Sequence, residues 1–129
     1  MLDHIAIEVS DVARSKAFYT AALTPLGYTI TKEPGGMVIF GVADGPRRSP
    51  DPAGEFSIAR GKPHADVVHL AFNAGSRAEV DAFFRAAVAA GGIDNGAPGL
   101  RPKYHPNYYA AFVLDPDGYN VEAVCHAAV

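Results

Sequence analysis

The sequence predicts an α+β fold in which two βαβββ modules build one curved mixed sheet, with the helices on its outer side. Three observations carry this expectation. A shift of 65 residues lays His4 on His69 and matches many small and apolar positions around them. Each half opens on a short apolar strand followed by a helix-period segment, and three further strand-like stretches follow each helix.

The paired positions include Ile5 with Leu70, Ala6 with Ala71, Ile7 with Phe72, Phe18 with Phe83 and Gly27 with Gly92. Few of these matches are conspicuous alone, but together they imply a duplicated unit. The first strand, His4-Ile5-Ala6-Ile7-Glu8-Val9, alternates with period 2, and Val67-Val68-His69-Leu70-Ala71-Phe72 is its β-branched and apolar counterpart. Asp11 and Ser76 are the expected N-caps, and Ser76 with Glu79 forms a capping box. Val80, Phe83, Phe84, Ala87 and Val88 recur at helical spacing, as do Ala17, Phe18, Ala21 and Ala22.

Tyr28–Thr31, Met37–Val42 and Phe56–Ala59 read as the remaining strands of the first unit, with Gly35-Gly36 as a turn. In the second unit a weak candidate lies around Leu100–Lys103, followed by Tyr108–Leu114 and Tyr119–Val124, joined by Asp115-Pro116-Asp117-Gly118. Residues Ala43–Gly54 are expected to form an exposed loop able to fold over the site.

At 129 residues the chain suits one domain, with module 1 at about residues 1–62 and module 2 at about 65–126. Apolar residues make up 49% and charged residues 19%, an ordinary globular composition. The net charge of −3, with no basic run longer than Arg47-Arg48, argues against nucleic acid as a partner. No apolar stretch is long enough to span a membrane, and the first residues lack a secretory pattern. The single cysteine, Cys125, agrees with a reducing compartment, so a cytoplasmic location is expected.

Strand alternation places Ile5, Ile7 and Val9 under a helix and leaves His4, Ala6 and Glu8 on the concave side. The same alternation leaves His69, Ala71 and Asn73 facing the cavity between the units. On the last strand Val121, Ala123 and Cys125 form the apolar set, so Glu122 faces away from it and can join the histidines. His126 shares the parity of Glu122 but sits in a tail expected to fray, and it is not assigned to the site. Two imidazoles and a carboxylate with open positions form the triad of Fe(II) oxygenases, and the set also accepts Mn, Ni, Co or Zn. Taken singly, each histidine reads more readily as an edge or hydrogen-bonded strand residue than as a ligand. Their equivalence in the repeat favours a metal, but spacing alone does not bring three distant strands together.

The opening His4–Val9 strand with Asp11 and Phe18-Tyr19, the restart at His69–Phe72, and Phe112–Glu122 with its Asp-Pro-Asp-Gly turn resemble the glyoxalase/bleomycin-resistance/dioxygenase (vicinal oxygen chelate) superfamily across nearly the whole chain. The resemblance implies one divalent ion held in a cup by His4, His69 and Glu122. Glyoxalase I usually adds a glutamate where this chain carries Ser57, which moves the site towards three-ligand members such as thiol transferases and extradiol dioxygenases. The stretch from Arg101 to Tyr109 either orients a substrate or covers the open sheet edge. The family pattern favours Tyr108 and Phe112 as the residues facing the metal.

The expected activity is therefore that of a metal-dependent, glyoxalase-like enzyme of lyase or isomerase type, acting on a small molecule that chelates the ion through neighbouring oxygens. Glu122 and Glu8 are the candidate catalytic carboxylates, and Arg101, Tyr104, His105, Tyr108 and Phe112 the candidate substrate contacts. Glutathione or another thiol is a candidate co-substrate, and a homodimer the expected assembly. The alternatives are an extradiol dioxygenase or thiol transferase, and a non-catalytic binding protein of the bleomycin-resistance kind.

Overall fold

The computed structural model describes residues 1–129. The first module comprises β1 (Ile5–Val9), α1 (Val12–Leu23), β2 (Tyr28–Lys32), β3 (Val38–Val42) and β4 (Phe56–Arg60). The second comprises β5 (His69–Asn73), α2 (Arg77–Ala89), β6 (Ile93–Leu100), β7 (Tyr109–Leu114) and β8 (Asn120–Cys125). Two βαβββ modules are thus present, as the sequence predicts. Their eight strands divide into two mixed four-stranded sheets ordered β1-β4-β3-β2 and β5-β8-β7-β6, not one sheet continuous through the chain.

In each sheet the first strand runs parallel to the fourth and lies at an edge. Ala6 is paired with Ser57 and Ala71 with Glu122, so the shift of 65 holds across both pairs. The third strands break it: Phe40 faces Phe56, whereas Val113 faces Val121. Module 2 carries an insertion between β6 and β7 that a shorter β7–β8 turn cancels.

Asp11 and Ser76 cap the helices as expected, accepting from the amides of Arg14 (3.1 Å) and Glu79 (3.2 Å). Glu79 departs from the capping box by reaching back to the Gly75 amide (2.7 Å), one residue before the cap, while its other oxygen takes Arg47 at 2.9 Å. The sixth strand lies at Ile93–Leu100, earlier than the weak candidate around Leu100–Lys103. Gly96, Pro98 and Gly99 hide it in the sequence, and the irregular register of an edge strand tolerates them.

The buried faces of both sheets and the helices meet in one cluster of 23 residues drawn from both modules. Burying such side chains contributes on the order of 1.5–3 kcal/mol each before entropy is set against it. Tyr19, fully buried on α1, donates to Asp115 Oδ2 at 2.5 Å and ties the first module to the β7–β8 turn of the second. On β1 Ile7 and Val9 are buried while Ala6 and Glu8 are exposed. On β5 Leu70 and Phe72 are buried while His69, Ala71 and Asn73 are exposed, so each sheet keeps its other face open. No helix is long and apolar enough to cross a membrane.

Candidate metal centre

Because β5 and β8 are adjacent, His69 lies opposite Asn120 and Ala71 opposite Glu122 on the open face of module 2. His69 Nε2 stands 2.9 Å from Glu122 Oε1. The Tyr108 hydroxyl donates to Oε2 of the same carboxylate, which is only 2% exposed. Burial first, and then this hydrogen bond, push the Tyr108 phenol up to about 12.

The imidazole has its own anchor. His69 Nδ1 lies 3.0 Å from the main-chain carbonyl of Asn120, which only accepts, so Nδ1 carries the hydrogen. In the neutral ring this tautomer, assigned from its partners, turns the Nε2 lone pair towards the Glu122 oxygen. At 2.9 Å the nitrogen and the carboxylate oxygen are within hydrogen-bond reach of each other. An imidazole nitrogen beside a carboxylate oxygen is also a donor set that suits a divalent cation of the borderline class. Phe112, in register with Glu122, stacks beside His69 with ring centroids 6.2 Å apart.

His4 lies elsewhere. Its side chain is 67% exposed on the open face of module 1, bonded to Asp3 at 2.7 Å, and that hydrogen bond followed by the Asp3 charge raises it above the ordinary histidine value. It borders a cavity of about 300 Å³ shared with Ala6, Met37, Ile39 and Ser57. Within one chain no group of three or more His, Cys, Asp and Glu side chains is assembled to hold a metal. The expected convergence of His4 on His69 and Glu122 is thus absent from the single chain, because the modules pack through their buried faces and leave the open ones apart.

Glu8 is also outside this group. Its half-exposed carboxylate pairs with His64 at 3.6 Å, and its carbonyl accepts from the Tyr119 hydroxyl at 2.7 Å. Tyr104 and His105 do gather round the centre, their rings 4.7 and 5.5 Å from that of Tyr108. Arg101 lies over Phe112, 5.4 Å from its ring centre.

His126 belongs to the same cluster despite its place in the terminal tail: its Nδ1 lies 2.8 Å from His105 Nε2 and its ring packs on Tyr108. Its parity with Glu122 is the sequence signal for that. Asn120, whose carbonyl sets the His69 tautomer, shares the same parity, and its role follows from strand pairing that no local pattern displays.

A sequence search of curated proteins finds no match. Among solved structures, a glyoxalase/bleomycin resistance protein from Albidiferax ferrireducens T118 superposes with a TM-score of 0.79 at 31% identity, covering 97% of this chain and 98% of that one. A glyoxalase-related enzyme from Fulvimarina pelagi shares the fold at TM-score 0.68 and 18% identity, with 97% and 87% covered. So does a point mutant of the genomically encoded fosfomycin resistance protein FosX from Listeria monocytogenes, complexed with Mn(II) and 1S,2S-dihydroxypropylphosphonic acid, at 0.69 and 18%, with 99% and 91% covered. The family model of the Glyoxalase/Bleomycin resistance protein/Dioxygenase superfamily matches residues 1–123, and the chain belongs to that superfamily.

Proposed function

We propose that the protein is a divalent-metal-dependent enzyme of glyoxalase-like, lyase or isomerase type, acting on a small substrate that offers two neighbouring oxygens. The observation that carries this reading is the buried Glu122 carboxylate 2.9 Å from His69 Nε2 on the open face of module 2. Two protein ligands are fewer than such a centre uses, and His4 supplies the third from a second copy of the chain. In support, β1 and β5 both lie at sheet edges, with His4 and His69 on open faces. Setting β1 of one copy beside β5 of another joins two four-stranded sheets into one curved cup.

Bound there, the metal supplies Lewis acidity towards the substrate oxygens. Tyr108 holds the Glu122 carboxylate in place, and Asn120 holds His69 in the tautomer that ligates. Phe112 walls the site beside His69, while Arg101, Tyr104 and His105 line the approach. Glu8, on the open face of β1, is the candidate proton acceptor in the completed cup. Ser57, opposite Ala6 where module 2 has Glu122 opposite Ala71, favours a three-ligand centre and with it the thiol-transferase or extradiol reading as second choice. The thiol transferase would use glutathione or a similar thiol.

The test is elemental analysis and metal titration of protein purified without a metal-binding tag, alongside His69→Ala and Glu122→Ala. About one ion per chain is expected in the wild type and little in either variant, with the fold retained. A screen of hemithioacetals, catechols and epoxides, with and without thiol, then identifies the reaction. Equal metal binding in all three proteins would overturn the reading, and ligand binding without metal or turnover would favour the sequestering protein.

A further inference from the structure

We propose that Asn95 is a site of spontaneous covalent modification, at which the fold promotes loss of the side-chain amide nitrogen as ammonia and leaves a carboxylate. The modification goes beyond the reading above and does not depend on it; only its consequence for His69 does. The chain has four asparagines, and Asn95 alone precedes a glycine, whereas Asn73, Asn107 and Asn120 precede Ala74, Tyr108 and Val121. Without a Cβ, Gly96 lets its main-chain nitrogen close on the preceding side chain, an approach that a bulkier residue obstructs.

The local structure adds three features to this pair. Asp94 is in register with Val113 and Gly96 with Phe112, so two steps along β6 answer one along β7 and Asn95 is the extra residue of a bulge, outside the ladder. Asn95 is exposed on a strand at the edge of its sheet, so water reaches it. Gly96 has a φ of +150°, in the region that favours glycine, and its amide donates to Asp94 Oδ1 at 2.9 Å. That carboxylate accepts the hydrogen that has to leave before the Gly96 nitrogen can act as a nucleophile. Asn73 and Asn120, by contrast, sit in register within their strands, opposite Val124 and His69.

The chemistry needs only water. The Gly96 nitrogen bonds to Asn95 Cγ as its proton passes to Asp94, and the Cγ–Nδ2 bond breaks. Nδ2 takes the proton from Asp94 and leaves as ammonia, which closes a succinimide ring. Water then opens the ring at either carbonyl and gives aspartate or isoaspartate at position 95, the latter with its main chain routed through the side-chain methylene. The product changes the surroundings of the candidate centre. Asn95 Nδ2 donates to Asn120 Oδ1 at 3.2 Å, and the carbonyl of Asn120 holds His69 Nδ1. A carboxylate at position 95 no longer donates, so the Asn120 side chain must turn to stay bonded, beside the group that anchors His69.

The experiment incubates the purified protein in mildly alkaline buffer and follows it by peptide mass spectrometry, with a parallel sample unfolded in guanidinium chloride. The expected result is the mass gain of an amide-to-acid exchange at Asn95 alone, with a folded-state rate within about threefold of the unfolded one. Folded Asp94→Ala should react at least about threefold more slowly than the folded wild type, and Asn95→Gln, whose longer side chain cannot close the same ring, should show no gain. A folded rate about tenfold or more below the unfolded one, an undiminished rate in Asp94→Ala, or a gain shared with Asn73, Asn107 and Asn120 would overturn the proposal. Metal binding plays no part in this readout, so the modification and the enzyme reading stand or fall separately.

Discussion

Replacing Tyr108 by Phe deletes one hydroxyl and keeps the ring packed against Tyr104, His105 and His126. The Glu122 Oε2 atom then loses its donor inside a site where water has little access. A hydrogen bond to a charged group is worth about 1.5–3 kcal/mol, and the partial exposure of Tyr108 sets the lower end as the expected loss. For a chain of this size that is a fall in Tm of roughly 5 °C. The second effect is on the metal. A partner that orients a ligating carboxylate is worth about 10- to 100-fold in metal affinity, or about 1.4–2.8 kcal/mol. Calorimetric titration of Mn(II) or Zn(II) into wild type and Tyr108→Phe, with thermal melts of both metal-free proteins, reads the two effects separately. Unchanged or tighter metal binding in the variant would refute the reasoning, since Tyr108 would then compete for the carboxylate instead of holding it.

Tyr19→Phe should cost about 1.5–3 kcal/mol in urea unfolding and leave metal affinity alone, because Asp115 loses a buried donor and keeps only the amides of Asp117 and Tyr119; an unchanged midpoint would contradict it. In alkali, burial raises Tyr19, Tyr28, Tyr108 and Tyr119, and the Asp81 hydrogen bond raises Tyr109, so the folded chain holds these protons more tightly than the unfolded one. Their stabilisation is complete below the unfolded value near 10 and is lost above it, so the urea midpoint should fall between about pH 10 and 12. A midpoint that rises over that interval would show the sign to be wrong.

The fold was legible because the duplication states it twice. His4 and His69 open equivalent strands, Asp11 and Ser76 cap equivalent helices, and strand parity placed Glu122 opposite the apolar set of β8. Local pattern failed at β6, where Gly96, Pro98 and Gly99 remove the β-branched residues by which a strand is recognised. It failed again at His126, whose parity was right but whose place near the chain end suggested fraying. The arrangement of the two modules was not legible at all. Alternation says which side of a strand is buried, but not whether two buried sides face each other in one chain. That is why parity put His69 and Glu122 each on an open face, while their meeting was implied only by the family resemblance and the separation of His4 did not follow at all.

The central claim, that His4 of one copy completes a centre with His69 and Glu122 of another, is tested most directly by complementation. His4→Ala and Glu122→Ala chains are co-expressed with different tags that do not bind metal, and the mixed dimer is isolated and analysed for bound metal. In the mixed dimer one cup carries both defects and the other carries none. The expected result is little metal in either homogeneous variant and one ion per two chains in the mixed dimer. A mixed dimer as empty as its parents, or a chain that binds metal fully as a monomer, would contradict the claim.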